Sequence, residues 1–172
     1  MSSGTGTKDC PVAFSRNSQS LKLLLTALVL VASSLTSARS GELPAPAGPI
    51  VLTVSGAIDN FNSDKVAVFD LAMLEAAAGR TVTMRTPWAD GETTFQGPFL
   101  RSILQMAGAH GKSLKITALN DYASDIPVGD ATDYDTVLAT KLDGKHMSVR
   151  EKGPVFLVYP FDTNPELYNE KY

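Results

Sequence analysis

The sequence predicts one α+β domain, built of mixed β-sheets with a few short helices and preceded by an export signal. Short β-branched or alternating runs separated by Gly, Pro and Asp predict more strand than helix. Only two segments have the apolar spacing of an amphipathic helix, and both are short. The 172 residues contain no repeat, heptad pattern or low-complexity tract, so we expect a single core.

The first 38 residues are typical of a cleaved secretory signal. Arg16 and Lys22 precede the apolar run Leu23–Ala32, and small residues continue from there to Ala38. The run has about 10 residues, fewer than the roughly 20 that a membrane-spanning helix needs. We therefore expect export to the periplasm and no membrane span after cleavage. A retained N-terminal anchor is the alternative.

Cleavage would leave a linker over residues 39–49, which includes the Pro-rich stretch ELPAPAGP, and a domain over residues 50–172. Residues 1–38 contain three of the 15 basic and one of the 18 acidic residues, so the remainder has net charge −5. It lacks a basic run, which argues against nucleic acid as a partner. The only cysteine, Cys10, lies in the signal, so the domain depends on its core and not on disulfides.

The first half of the domain is predicted to alternate strands with one helix. The β-branched and alternating runs predict strands, and an aspartate before an apolar helical pattern predicts a helix cap. The elements are a strand at Ile50–Val54, a strand at Val66–Phe69, a helix from Leu71 to Ala78 capped by Asp70, and a strand at Thr81–Thr86.

A loop over Pro87–Gly91 should lead to a second helix. Gly97-Pro98 is expected to open this helix, since proline lacks the N–H that a first helical turn leaves unpaired. Its apolar face contains Leu100, Ile103, Leu104 and Ala107, and Gly108 should end it.

The second half is predicted to be mostly strand. Leu114–Leu119 and Val137–Leu142 read as strands, and Asp143-Gly144 as a tight turn to a returning segment at His146–Val149. Val155–Tyr159 is the most hydrophobic run of the domain, and we expect it to be a buried central strand.

Four segments stand in a characteristic order along the domain. They are Phe95–Leu104 (FQGPFLRSIL), Ala118–Tyr122 (ALNDY), Leu138–Gly144 (LATKLDG) and Gly153–Pro160 (GPVFLVYP). Together they resemble the molybdopterin-binding domain of the sulfite oxidase type. Small exported members with a Thr-Pro-Trp segment, as at Thr86–Trp88, are closer still. The resemblance implies that family's fold, a pterin-bound molybdenum cofactor and oxidoreductase activity.

Three departures bear on that implication. Cofactor-bearing relatives hold molybdenum partly through a cysteine thiolate, whose place falls here at Arg85-Thr86-Pro87. None of these side chains replaces a soft anionic ligand. Leu157 or a neighbour stands where the family has an arginine in its Gly-Pro strand. Relatives continue into a Trp-containing closing strand near Tyr172, so we expect the domain to lack an edge strand or to be truncated at its C-terminus.

Seven residues beside the predicted strand ends are the candidates for a binding pocket: Arg85, Trp88, Arg101, Asn120, Tyr122, Arg150 and Lys152. Cationic groups beside backbone N–H donors suit the phosphate of a pterin, and Trp88 or Tyr122 would suit a flat ring. The structural alternatives are Trp88 as a lid on the core and Arg101 as a surface helix residue. Arg150 and Lys152 would then form one half of an exposed ion pair with Glu151.

Other chemistry has little support in the sequence. The two histidines, His110 and His146, lie on different predicted elements, so no His₂-carboxylate metal site is expected. The aspartates between residues 121 and 135 lack the order of a calcium loop, and a solvated acidic loop is the preferred interpretation. Nucleophile-elbow, phosphate-loop and dinucleotide motifs are absent, so catalytic residues stay unassigned.

Whether the protein is an enzyme is left open. One hypothesis is a periplasmic molybdopterin-dependent oxidoreductase that exchanges electrons with a redox partner. A second is a domain that keeps the fold and binds a small anionic or flat ligand, or a membrane sensor, without redox chemistry. A scaffold subunit without a ligand is the third. We favour the second hypothesis because the domain has no thiolate, carries an export signal and is small. No cofactor is then expected, and molybdopterin is the alternative.

Overall fold

The computed structural model describes residues 43–169. The predicted signal and the first part of the linker lie outside the described residues. Within this range ten short strands and three short α-helices make an α+β domain, as the sequence predicts. No helix in the described range is long and apolar enough to cross a membrane.

The first two strands and the first helix form where the sequence predicts them. Strand β1 (Ile50–Val54) pairs antiparallel with β2 (Ala67–Asp70), and helix α1 (Leu71–Ala76) follows at once. The helix ends two residues before the predicted limit. β2 is buried along its whole length, and Leu74 anchors α1 beneath it.

Asp70 caps α1 and also holds the chain that leads into β1. Its carboxylate accepts hydrogen bonds from the backbone N–H groups of Met73 (2.8 Å), Ala47 (2.7 Å) and Gly48 (2.8 Å). Bonds to Met73 and Gly48, more than the one to Ala47, hold the pKa of Asp70 below its ordinary value. The charged carboxylate therefore fastens the end of the linker to the domain.

We expect part of the protein's acid sensitivity to come from Asp70. A carboxyl with a lowered folded pKa stabilises the fold above its unfolded pKa of about 3.9 and loses that contribution as pH falls through its folded pKa. Urea unfolding from pH 7 down to pH 2 should show a decline below about pH 4 that is smaller in Asp70→Asn. Asp64→Asn is the control, since exposed Asp64 makes none of these bonds. An equal decline in all three proteins would contradict the assignment.

A long hairpin forms the centre of the domain, and its second strand is not predicted by the sequence. β3 (Gly79–Thr86) pairs antiparallel with β4 (Ala89–Pro98) along its full length. The predicted loop is therefore wrong beyond Trp88, because Asp90 and Gly91 belong to an exposed strand. Gly91 has φ +81°, which only glycine adopts readily.

Helix α2 (Leu100–Met106) starts later than predicted. Pro98 ends β4 and does not open the helix, because a proline without an N–H is tolerated at a strand end as well as at a helix start. Leu100, Ile103 and Leu104 are buried, as their spacing predicts. The chain leaves at Gly108 with φ +63°, the expected glycine stop.

The segment after α2 is more ordered than predicted. β5 (Ser113–Thr117) pairs antiparallel with β6 (Ala123–Pro127), and helix α3 (Gly129–Thr132) follows. The sequence predicts only β5, because β6 is largely exposed and its Ala-Ser-Asp composition has little strand preference.

The predicted strand at Val137–Leu142 is divided at Thr140. β7 (Val137–Ala139) pairs with β10 (Phe156–Val158), whereas β8 (Lys141–Leu142) joins β4 and β9 (Lys145–His146). Asp143 and Gly144 have positive φ and form the predicted tight turn. β10 is not the predicted central strand, because β7 is its only strand partner in residues 43–169 and two of its three residues are half-buried.

Two clusters of buried apolar side chains form the core of the domain. One contains Phe69, Leu74 and the apolar face of α2, and the other contains Met84, Phe95, Val158 and Phe161. β7 lies between them, because Leu138 belongs to the first cluster, and Val137 and Ala139 belong to the second. Gly97 lets β4 approach β7, since a Cβ there would lie against the Leu138 carbonyl oxygen. Two 3₁₀ turns, Val149–Glu151 and Pro165–Leu167, flank β10.

Candidate functional site

Thr86 ends β3 and is the middle residue of Arg85–Pro87, the segment where the resemblance puts the molybdenum-binding cysteine. The residue is 2% exposed. Its Oγ1 atom is shielded from water and has no hydrogen-bond partner among the described residues. A buried hydroxyl without a partner costs stability. The neighbouring Arg85 points to the exposed side of the hairpin, with Glu92 opposite it on β4.

Four aromatic residues cluster beside Thr86, and we refer to Trp88, Phe156, Phe161 and Tyr168 as the aromatic cap. Trp88 meets Phe161 and Phe156 edge to face, with ring centroids 5.4 and 6.0 Å apart. Tyr168 packs against Phe161 at 5.8 Å and donates a hydrogen bond to the Thr86 carbonyl at 3.2 Å. Residues close to the C-terminus therefore cover the end of β3.

Lys152 lies over the aromatic cap. Its Nζ atom is 5.2 Å from the centre of the Phe156 ring and 6.0 Å from that of Trp88, within reach of a cation–π interaction. Its backbone has φ +71°, a conformation that L side chains seldom adopt. The structure thus brings together two of the predicted site residues, Trp88 and Lys152.

Glu151, the alternative partner of Arg150 and Lys152, is bonded to Ser148 in the structure. Glu151 accepts hydrogen bonds from the Ser148 hydroxyl (2.9 Å) and backbone N–H (3.3 Å), and these bonds lower its pKa. Glu151 is thus engaged by Ser148 in a capping box. Arg150 is exposed in the same 3₁₀ turn.

The remaining predicted residues lie in separate structural settings. Arg101 bonds the Asp135 carboxylate at 2.6 Å and the Tyr134 carbonyl at 3.2 Å, with its guanidinium 4.0 Å above the Phe99 ring. These contacts favour a structural role for Arg101. Asn120 and Tyr122 form the exposed turn of the β5–β6 hairpin, where the Asn120 side chain accepts the Tyr122 N–H at 3.2 Å.

Glu75, at the end of α1, is the centre of a polar cluster that sequence reasoning misses. Its Oε1 atom lies 3.0 Å from Lys141 Nζ, 3.5 Å from Thr140 Oγ1 and 3.6 Å from His146 Nδ1. These residues are more than sixty positions from Glu75 in the chain, so no local motif marks the cluster. Only the approach of the β8–β9 hairpin to α1 brings them together.

Two clefts adjoin Glu75. The first, called the Glu75 cleft, has a volume of about 270 Å³ and polar walls from Glu75, Arg80, Thr81, Gln96 and Thr140. The second has a volume of about 560 Å³ and mostly apolar walls, with Glu75 and His146 at its polar side. Within residues 43–169, no three His, Cys, Asp or Glu side chains converge as metal ligands.

The domain has the α+β architecture that the resemblance implies, with a long hairpin followed directly by helix α2 and with Gly153-Pro154 ahead of β10. It belongs to the class of molybdopterin-binding oxidoreductase domains. Residues 58–162 match the oxidoreductase molybdopterin binding domain family, and this match covers more than half of the chain. The chain belongs to that family. None of the curated proteins matches it.

The residues present at the end of β3 do not fit the metal of that family's cofactor. The only cysteine of the chain is Cys10, so the domain offers no thiolate. A threonine hydroxyl is a neutral, hard donor, whereas thiolate ligands are anionic and soft. The Thr86 hydroxyl is also buried in the protein, whereas a metal ligand must be accessible to the metal that it binds.

Proposed function

We propose that this protein is an exported, periplasmic member of the family that does no redox chemistry and serves as a binding domain. The observation that carries the proposal is the segment Arg85–Pro87, where the resemblance places the metal-binding cysteine. This segment has no thiolate, and its middle residue, Thr86, is buried. Loss of the thiolate removes the protein's covalent hold on molybdenum. The fold itself does not depend on a metal, because the two apolar clusters form its core.

The aromatic cap supports binding at the same end of the hairpin. Trp88 keeps 38% of its surface exposed, and the Lys152 ammonium beside it has no carboxylate within ion-pair distance among the described residues. A cation next to an exposed ring suits a small anionic or flat ligand. The same surface suits a protein partner such as a membrane sensor.

The second candidate function is a molybdopterin-dependent oxidoreductase that passes electrons to a redox partner. Family membership favours it. On this alternative the metal would have to be held without a thiolate, because the side chains at the end of β3 provide none. The two functions therefore differ in a quantity that is directly measurable, the molybdenum content of the purified protein.

The decisive experiment measures molybdenum by elemental mass spectrometry, together with pterin fluorescence after oxidation. The protein should be purified from the periplasm of a molybdenum-replete culture. We expect folded protein with far less than stoichiometric molybdenum and no pterin. Near-stoichiometric metal in the unmodified protein would overturn the proposal and support the oxidoreductase.

Two cysteine variants extend this experiment. Thr86→Cys restores a thiolate-forming side chain at the end of β3, whereas Thr83→Cys places one on the exposed face of the same strand. Molybdenum in Thr86→Cys alone would mean that the pocket survives and that the thiolate is the missing part. Equal metal in both variants would indicate nonspecific binding to a surface thiol.

A further inference from the structure

The Glu75 cleft is distant from Arg85–Pro87, the segment where the resemblance puts the metal-binding cysteine. Gly79, Arg80 and Thr81, which line it, begin β3, whereas Thr86 ends that strand. At about 3.3 Å per residue, five residues of strand separate Thr81 from Thr86 by roughly 17 Å. A ligand in the Glu75 cleft would therefore occupy a site of its own, and its binding would not depend on the proposed function.

The charges around the cleft are compensated within the protein. Glu75 pairs with Lys141 at 3.0 Å, and Arg80 forms a two-pronged ion pair with Asp162 at 2.8 and 3.0 Å. These four side chains are between 19% and 32% exposed, so the pairs are partly shielded from water. A charged ligand would have to displace a partner from one of these pairs, and this requirement favours a neutral ligand.

The walls of the cleft still offer hydrogen-bonding capacity. All the contacts described for the Glu75 carboxylate reach Oε1, so Oε2 is left as an acceptor. The Gln96 amide and the Thr81 hydroxyl, both exposed, each donate and accept. Such a mixture of donors and acceptors matches hydroxyl groups, which also donate and accept.

The size of the cleft limits the ligand further. A volume of about 270 Å³ equals the space of roughly nine water molecules at ~30 Å³ each. This space suits a molecule of about ten non-hydrogen atoms. The polar lining has no aromatic platform, so we expect weak binding, in the millimolar range.

We propose that the Glu75 cleft binds a neutral polyhydroxylated molecule of about monosaccharide size. Hydroxyl groups of the ligand donate to Glu75 Oε2 and exchange hydrogen bonds with Gln96 and Thr81. The ion pairs of Glu75 and Arg80 stay intact on binding. Recognition therefore depends on hydrogen bonds to uncharged hydroxyl groups and not on an ion pair with the ligand.

The test is a titration of ¹⁵N-labelled protein monitored by NMR, with D-glucose, D-galactose and D-mannose as neutral probes. D-glucuronate and D-glucosamine are the matched probes with one negative and one positive charge. We expect saturable shifts of the Thr81, Gln96 and Thr140 amides with at least one neutral sugar, and weaker binding of both charged analogues. No saturable shift with any neutral sugar, or tighter binding of a charged analogue, overturns the proposal.

A pair of variants assigns the shifts to the cleft. Gln96→Ala removes a side chain from the wall while the backbone of β4 keeps its strand bonds, and it should weaken sugar binding about tenfold, the value of one hydrogen bond. Thr94→Ala, two residues away on the same strand, is the control and should leave the affinity unchanged. Equal effects of the two variants would overturn the assignment.

Discussion

Replacing Gly97 with alanine is expected to destabilise the fold by about 3–5 kcal/mol, at the upper end of single substitutions. The added Cβ would lie against the Leu138 carbonyl oxygen and 2.9 Å from Ala139 Cα. Both neighbours are backbone atoms of β7, which is held by β10 and cannot move without separating the two core clusters. Urea unfolding followed by circular dichroism measures the loss.

Gly111→Ala is the matched control for that experiment. Its Cβ would meet only the Ser113 carbonyl oxygen, at 3.6 Å, an ordinary contact, and no positive φ is required there. We expect a change within about 0.5 kcal/mol. If Gly97→Ala were as stable as Gly111→Ala, the close packing of β4 on β7 would be wrong.

Phe69→Ala is expected to lower the free energy of unfolding by about 3–5 kcal/mol, the usual loss when a fully buried phenylalanine is truncated. Phe69 lies in the middle of β2 with no exposed surface, and it packs in the same cluster as Leu74 and Ile103. The lost side chain would leave a cavity beneath α1, which such a short helix is poorly able to fill. The unfolding midpoint in urea is the quantity to compare.

Phe61→Ala provides the comparison, because Phe61 is 52% exposed. We expect it to lower stability by less than about 1 kcal/mol. Should the two phenylalanine variants prove equally stable, the placement of β2 in the core would be contradicted.

The elements with strong local signals are those that the sequence predicts. The β-branched run at Ile50–Val54, the apolar face of α2 and the Asp143-Gly144 turn all depend on spacing or on turn chemistry that neighbouring residues supply. Asp70 is a predicted cap for the same reason, since its Met73 contact is three residues away. The family resemblance is confirmed by the match over residues 58–162.

The missed strands depend on partners far along the chain. β4 contains Asp90, Gly91 and Glu92, which locally indicate a turn, yet eight residues of β3 pair with this strand. β6 has little apolar character, and its only strand partner in residues 43–169 is β5. In both cases pairing with another strand outweighs the local preference of the residues.

The site is less predictable than the fold for a related reason. Trp88 and Lys152 are sequence candidates that come into contact, but their approach requires the hairpin end and the turn before β10 to meet. Glu75 has no distinguishing sequence context, and its partners become neighbours only through the β8–β9 hairpin. Sequence patterns identify chemically suitable residues, whereas long-range packing decides which of them share a site.

Trp88 is the only tryptophan of the chain, and it sits at the end of β3 with Lys152 above it and Phe161 at its edge. Its ultraviolet emission therefore arises from this one place in the molecule. The wavelength and quantum yield of that emission would change if a ligand displaced the Lys152 ammonium. They would also change if the segment that contains Tyr168 moved away from the ring. The protein thus contains an intrinsic optical probe of its own binding surface, and no label has to be attached to read it.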